Sequence, residues 1–293
     1  MKMPIPRKRC RDFEEPTLSK LINLQHILLA TLTCITIGCG ENKTRSAETP
    51  TVNTKPRQVQ NQPKKRQVML GLFGGYLSCG SNEEAPLDGT RMVRYMQAIS
   101  TKLNKEGGSQ PTHVISCFGL DATVVNFITS ADPQKVTKLG VRDFIKEFGD
   151  LAETQTDADL HVVGHSYGGW LSLQVASAIR NTKPPRSLTT VDPISHVLCT
   201  PPDVINSLIG NPVKSTCNQA PADLSEDSLQ DIAAVTDKWL NFYQTDANLL
   251  HSGVLNGAEN VKISFPAAPL DPHTKIADDA SVIAKVLELV GEG

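Results

Sequence analysis

The sequence predicts an α/β fold, a mostly parallel sheet in three layers with helices on both faces. Two observations lead there. From Gln67 onward, short apolar runs alternate with segments of helical periodicity, the pattern of βαβ units. Within that region the apolar run Leu160-His161-Val162-Val163 passes through Gly164-His165-Ser166-Tyr167-Gly168 into a helical stretch ending at Arg180. Strand, tight turn with a serine at its apex, then helix is the context that makes a Gly-x-Ser-x-Gly pattern a nucleophile elbow. Glycines on either side permit the sharp turn and a close approach of helix to strand.

Taken in order, strands are predicted at Val68–Phe73, Thr112–Phe118, Leu160–Gly164, Ser187–Val191, Trp239–Gln244 and Val261–Phe265, each a short run of apolar or β-branched residues. Helices are predicted at Asp88–Asn104, Gln134–Ala152, Tyr167–Asn181, Ser225–Thr236 and Asp279–Val290. In the last of these Val282, Ile283, Val286, Leu287 and Val290 share one face, Asp278 or Asp279 caps the start, and Gly291 ends it. No internal repeat is present. These elements suit one domain over 67–293.

The chain has 293 residues, 39% hydrophobic and 20% charged, with a formal net charge of -2. That charge is uneven: residues 1–39 carry +3 and 40–66 carry +5, which leaves -10 for 67–293. An acidic folded region argues against a nucleic-acid partner, which needs a basic footprint.

Residues 1–39 read as an export signal. Lys2, Arg7, Lys8, Arg9 and Arg11 precede an apolar run from Leu21 to Ile37. That run is interrupted by Asn23, Gln25 and His26 and is short for a spanning helix, which needs about 20 residues. Its end, Thr36-Ile37-Gly38-Cys39, resembles the lipobox of bacterial lipoproteins, and the resemblance implies lipidation at Cys39 and a membrane anchor. An ordinary cleaved signal and an uncleaved anchor are the alternatives. Residues 40–66, rich in Pro, Thr, Asn and Gln, cannot bury enough surface to offset their ordering entropy and read as a disordered polar tether.

An exported chain permits disulfides among Cys79, Cys117, Cys199 and Cys217. Cys199 with Cys217 is the favoured pairing, both lying in one loop-rich excursion, and Cys117 can alternatively be read as a buried thiol in an apolar strand.

A serine hydroxyl is a weak nucleophile near neutral pH, so Ser166 needs a base within hydrogen-bond reach and a third group to orient that base. With its elbow and strand order, the stretch from Gln67 to Val290 resembles the α/β-hydrolase superfamily, whose triad runs nucleophile, acid, base along the chain. The resemblance implies His273, between the last strand and the last helix, as the base, with His251 and His196 as competitors. For the acid, Asp192-Pro193 after the strand following the nucleophile helix resembles the pancreatic-type lipases. Most of the superfamily places the acid one strand later, which points to Asp246. Asp192 is favoured.

An oxyanion hole needs two backbone N–H donors. One is expected from Tyr167, the residue after the serine. Gly71-Leu72-Phe73-Gly74-Gly75 resembles the His-Gly-Phe-Gly-Gly turn of many α/β-hydrolases, and the resemblance implies Phe73, then Gly74, as the second donor. The stretch from Cys199 to Cys217 is either an apolar cap over the site or a helix packed on the sheet.

The chain lacks Gly-x-Gly-x-x-Gly after the first strand, a P-loop, His-Glu-x-x-His and Cys-x-x-Cys, so neither a cofactor nor a metal is expected. The resulting expectation is a serine hydrolase acting on small-molecule or lipid esters. A thioesterase or peptidase on the same residues is one alternative, and a catalytically silent binding module is another.

Overall fold

Alternation along the first strand sorts the molecule into layers. In β1 (Gln67–Phe73), Val68, Leu70 and Leu72 pack with α1 (Arg91–Lys105) and the C-terminal helix, through Met92, Val93, Ile99, Leu103, Val286 and Val290. Met69 and Phe73 point the other way, into the larger core. This is the period-two geometry of a strand buried on both faces. Gly71 leaves room for an aromatic ring there, since a Cβ at that position would lie 2.9 Å from Phe148 Cζ.

A computed structural model of the chain describes residues 66–80, 90–195, 200, 202, 206, 224–246, 250–266 and 272–292. All of them lie in the unit Asn61–Gly293. After β1 and α1 come β2 (Thr112–Phe118), β3 (Val124–Thr129), β4 (Asp132–Gly140), α2 (Val141–Thr154), β5 (Ala158–His165) and α3 (Tyr167–Ile179). Then follow β6 (Ser187–Val191), α4 (Glu226–Val235), β7 (Lys238–Tyr243), β8 (Glu259–Lys262), the short α5 (Pro272–Lys275) and α6 (Ala280–Gly291). The eight strands form one sheet in the order β4-β3-β2-β1-β5-β6-β7-β8. All pairings are parallel except β2 with β3 and β3 with β4.

The predicted strands and helices recur with two differences. The helix predicted from Gln134 starts only at Val141; the residues before it form β4, the outer strand of a hairpin with β3. β4 is mostly exposed and carries Pro133, Lys135 and Lys138, a composition that an edge strand tolerates and that blunts further pairing. Such a strand shows no apolar alternation, and its two-residue link, Ser130-Ala131, lacks the Asn-Gly type of hairpin signal. The last strand lies at Glu259–Lys262, shifted towards the N-terminus from Val261–Phe265. In α6 the cap is Asp279, whose side chain accepts from the Ser281 N–H.

Arg66, placed by composition in the polar tether, belongs to the fold. Its guanidinium donates to Asp159 Oδ2 at 2.7 Å, to the Val290 carbonyl at 2.9 Å and to His161 Nε2 at 3.3 Å. His161 is fully buried and donates from Nδ1 to Ser187 Oγ at 2.7 Å. The expected export signal, the tether through residue 65, Cys39, Cys199 and Cys217 lie outside the described residues, as does nearly all of the candidate cap. Among the described residues no helix is long and apolar enough to cross a membrane.

Burial, and then the neighbouring Arg66 cation, push the His161 pKa down to about 4 from 6.5. In the unfolded chain this ring takes up its proton near pH 6.5, so the stability of the neutral, buried form is complete above that value and is lost as pH falls towards 4. Unfolding free energy measured by urea titration should fall across this window by about 1 kcal/mol per pH unit from this group. In His161→Gln the slope should be shallower by one proton; an unchanged slope would show that His161 is not the group titrating.

Candidate active site

The sheet reverses its winding between β1 and β5. The chain runs from β1 outward through β2, β3 and β4, returns to the other side of β1 as β5, and continues through β6, β7 and β8. Crevices that bind ligands form at such switch points, outside the carboxyl ends of the strands. Ser166 directly follows β5, and Gly74-Gly75 directly follow β1, at this same place.

The turn at Ser166 exists because two backbones touch. A Cβ on Gly164 would lie 2.1 Å from the Gly168 carbonyl oxygen, and a Cβ on Gly168 would lie 1.9 Å from the Phe73 carbonyl oxygen. No side chain fits at either position. Ser166 itself sits at φ 58°, a region that costs a non-glycine residue about 1–3 kcal/mol. Neighbouring backbone holds it there: its N–H donates to the Val191 carbonyl, and its own carbonyl accepts from Gly169, Trp170 and Ile194.

Ser166, His273 and Asp192 come together in one hydrogen-bonded chain. His273 Nε2 lies 2.9 Å from Ser166 Oγ, and His273 Nδ1 lies 2.7 Å from Asp192 Oδ2. All three residues are buried. His273 stands in α5 rather than in a loop; Pro272 opens that turn, a position where its missing N–H is not needed. With Nδ1 donating to the carboxylate, Nε2 is left to accept the hydroxyl proton.

Asp192 is fully buried, and donors surround its charge. Besides His273, Gln244 Nε2 donates to Oδ2 at 2.7 Å and the Ser252 N–H donates to Oδ1 at 2.7 Å. These donors supply the hydrogen bonds that a buried carboxylate needs in place of water. Its backbone, at φ 44°, is anchored by its N–H on the Phe242 carbonyl at 2.7 Å. Asp246, the competing acid, is engaged elsewhere: its Oδ2 accepts from the Phe265 N–H at 2.6 Å, and its N–H donates to Gln244 Oε1 at 2.9 Å. Among the competing bases, His251 bonds the Ser252 carbonyl through Nδ1, and His196 lies outside the described residues.

The glycine turn after β1 differs from expectation in which residue lies against the serine. The Gly74 N–H donates to the Ser116 carbonyl of β2 at 2.8 Å, so it is not available to an oxyanion. Successive amides along a strand point to opposite sides. Phe73, paired with both Ser116 and Gly164, therefore directs its amide into the sheet towards β5. The residue that meets the serine is Gly75: a Cβ there would lie 2.6 Å from Ser166 Cβ and 2.9 Å from Ser166 Oγ. Tyr167 opens α3, at the positive end of that helix's dipole.

Sequence reasoning did not reach four of the residues around this chain: Gln244, Ser252, Gly75 and His165. His165 is buried, and its Nε2 donates to the His273 carbonyl at 2.8 Å. Burial, and then the neighbouring His273 ring, hold its pKa well below the usual histidine range, so the ring is neutral. The Cys79–Cys117 pair is a disulfide, which corrects the buried-thiol reading of Cys117. Among the described residues no group of three or more His, Cys, Asp or Glu side chains is disposed to hold a metal ion.

An eight-stranded, mostly parallel sheet, with a serine elbow at its switch point and the other two residues after later strands, decides the architecture. This is the α/β-hydrolase fold. The chain matches no family model and no curated protein. Among solved structures it is similar to Est1E from Butyrivibrio proteoclasticus, at 13% identity and a TM-score of 0.40, over 80% of this chain and 92% of that one. It is also similar to a proline iminopeptidase from Mycobacterium smegmatis, at 14% identity and a TM-score of 0.40, over 78% and 90%. A thioesterase domain from the curacin biosynthetic pathway aligns at 13% identity and a TM-score of 0.38, over 77% and 92%.

The hydrogen-bond pattern separates the two carboxylates by consequence. Asp192→Asn should lower kcat by about 10³–10⁴-fold, because an amide at this site favours the wrong histidine tautomer. Asp246→Asn should leave kcat within about threefold and lower stability by about 1 kcal/mol through its weakened bond to Phe265. Steady-state kinetics and urea unfolding of both variants test this; equal kinetic losses would remove the distinction.

Proposed function

We propose that this protein is an exported serine hydrolase that cleaves carboxylic esters through an acyl-enzyme on Ser166. The observation that carries the reading is the buried chain from Ser166 Oγ through His273 to Asp192, with links of 2.9 and 2.7 Å. Ser166 Oγ attacks the ester carbonyl while His273 Nε2 takes its proton. Asp192 keeps the imidazole in the productive tautomer and stabilises the imidazolium that forms. The proton then passes to the leaving alkoxide, and water, activated by the same histidine, releases the acid and frees Ser166.

Charge developing on the carbonyl oxygen is met by the backbone N–H groups of Tyr167 and Gly75. This assignment keeps the amide that follows the serine and moves the second donor from Phe73 or Gly74 to Gly75. No cofactor takes part.

The same proposal puts the folded region outside the cytoplasm, on a lipid carried by Cys39, within reach of soluble or membrane-borne esters. A disulfide in the described region suits an oxidising compartment.

Labelling with a fluorophosphonate probe tests the chemistry. The purified chain should take up one equivalent and hydrolyse p-nitrophenyl acetate, and Ser166→Ala should do neither. An unlabelled native chain, or a labelled Ser166→Ala variant, refutes the proposal. Mass spectrometry of the mature N-terminus tests the anchor: a diacylated or triacylated Cys39 is expected, and a start at any other residue excludes it.

A further inference from the structure

We infer that the Cys79–Cys117 disulfide is a positioning device for the reaction: it holds the turn after β1 so that Gly75 keeps its place against Ser166, and turnover depends on it. The inference rests on the serine-hydrolase reading above and adds a requirement to it.

The turn that carries Gly75 leaves the carboxyl edge of the sheet; its Tyr76 packs against Tyr167 at 6.0 Å between ring centroids, and its backbone is stitched to the end of β2. The Gly74 N–H donates to Ser116 at 2.8 Å, the Phe118 N–H donates to the Gly75 carbonyl at 3.3 Å, and the Ser78 N–H donates to Phe118 at 3.2 Å. Ser78 Oγ closes the turn on itself by donating to the Gly75 carbonyl at 2.6 Å. Cys79 then bonds covalently to Cys117, the residue between Ser116 and Phe118. Both cysteines are buried, and Asn126 of β3 steadies the sulfur of Cys79 through Nδ2 at 3.6 Å.

One residue in this turn pulls against it. Leu77 sits at φ 56°, in the left-handed region that a branched, bulky side chain disfavours. Its side chain is 44% exposed, so packing does not supply what holds it there. A strained turn persists only where its surroundings over-determine it. The two hydrogen bonds to the Gly75 carbonyl are modest ties for that purpose, each contributing only about 0.5–1.5 kcal/mol net. A covalent bond two residues beyond Leu77 does not exchange. If the turn relaxes, Gly75 moves with it, away from a place so close to Ser166 that a Cβ there would lie 2.6 Å from Ser166 Cβ. Oxyanion donors act only within about 2.7–3.1 Å, and a misplacement of about 1 Å costs on the order of 100-fold in rate.

Kinetics of the full chain with Cys79→Ala/Cys117→Ala test this, against Val286→Ala as a control that destabilises the opposite core without touching the turn. Both should be assayed on p-nitrophenyl acetate well below their Tm, together with inhibition by an alkyl trifluoromethyl ketone, which forms a tetrahedral oxyanion on the serine. In the double variant kcat should fall about 10- to 100-fold with KM within about twofold, and affinity for the ketone should fall by the same factor as kcat. Val286→Ala should keep the native kcat. A double variant that matches Val286→Ala in kcat and ketone affinity overturns the inference while the hydrolase reading stands. If the double variant does not fold, Ser78→Ala decides: a kcat reduced about three- to tenfold at unchanged KM supports the positioned turn, and an unchanged kcat overturns it. A native chain with neither turnover nor probe labelling removes the hydrolase reading, and this inference with it.

Discussion

Helix α3 can dock where it does only because Gly168 and Gly169 in its first turn carry no side chains, and the rest of the site is arranged around that contact. The Gly168 backbone lies against the Phe73 carbonyl, and the Gly164 backbone lies against the Gly168 carbonyl, at separations that leave no room for a Cβ. A helix brought this close to β5 and β1 forces the connecting residue into a positive φ, and that residue is Ser166. Its hydroxyl then stands clear of the sheet edge, at the switch point, instead of packing into a core. The contact also sets the distance to the next strands. Ser166 is anchored on Val191 at the end of β6, and Asp192, the following residue, is anchored on Phe242 at the end of β7. Two strained residues are thus each held by the strand beside them, so relaxing either requires parting adjacent strands of the sheet.

Electrostatics explains why so many polar groups can be buried around one histidine. A carboxylate without partners at the position of Asp192 would cost more than the fold can bear. Gln244, Ser252 and His273 supply three donors to its two oxygens. Gln244 is itself fixed between the Leu250 carbonyl and the Asp246 N–H, and Asp246 is fixed on Phe265. The loops after β7 and β8 therefore form a scaffold around the acid, in which Asp246 stands three hydrogen bonds away from the histidine, through Gln244 and Asp192. His165 completes the set from the other side, neutral and bonded to the backbone of His273. Each ring nitrogen of His273 faces one partner, which fixes its tautomer.

Much of this was legible from the chain alone, because it is local. The elbow is a five-residue pattern whose meaning comes from the strand before it and the helix after it. The preference for His273 and Asp192 came from which strand each follows. The two strands missing from the prediction were missed for a physical reason: β4 is an exposed edge strand whose polar residues carry no alternation, and β3 is recognisable only by the partner it pairs with. Arg66 likewise looked like the end of a polar tether, because its ion pair with Asp159 spans 93 residues of sequence.

What the sequence by itself determined is the kind of fold and the serine at its apex, since glycine spacing and apolar periodicity act over a few residues and need no distant partner. What only the tertiary structure decided is which glycine and which carboxylate lie beside that serine and its histidine, and which cysteines pair. The glycine depends on where β1 stops pairing: the Gly74 N–H is spent on Ser116, and Gly75 is the residue that lies against Ser166. The carboxylate depends on the register of β6 against β7, which sets Asp192 over Gln244 and leaves Asp246 facing Phe265. The bond between Cys79 and Cys117 depends on the alignment of β1 with β2. Each of these is a relation between strands far apart in the chain, fixed by the packing of the whole sheet rather than by any short stretch of it.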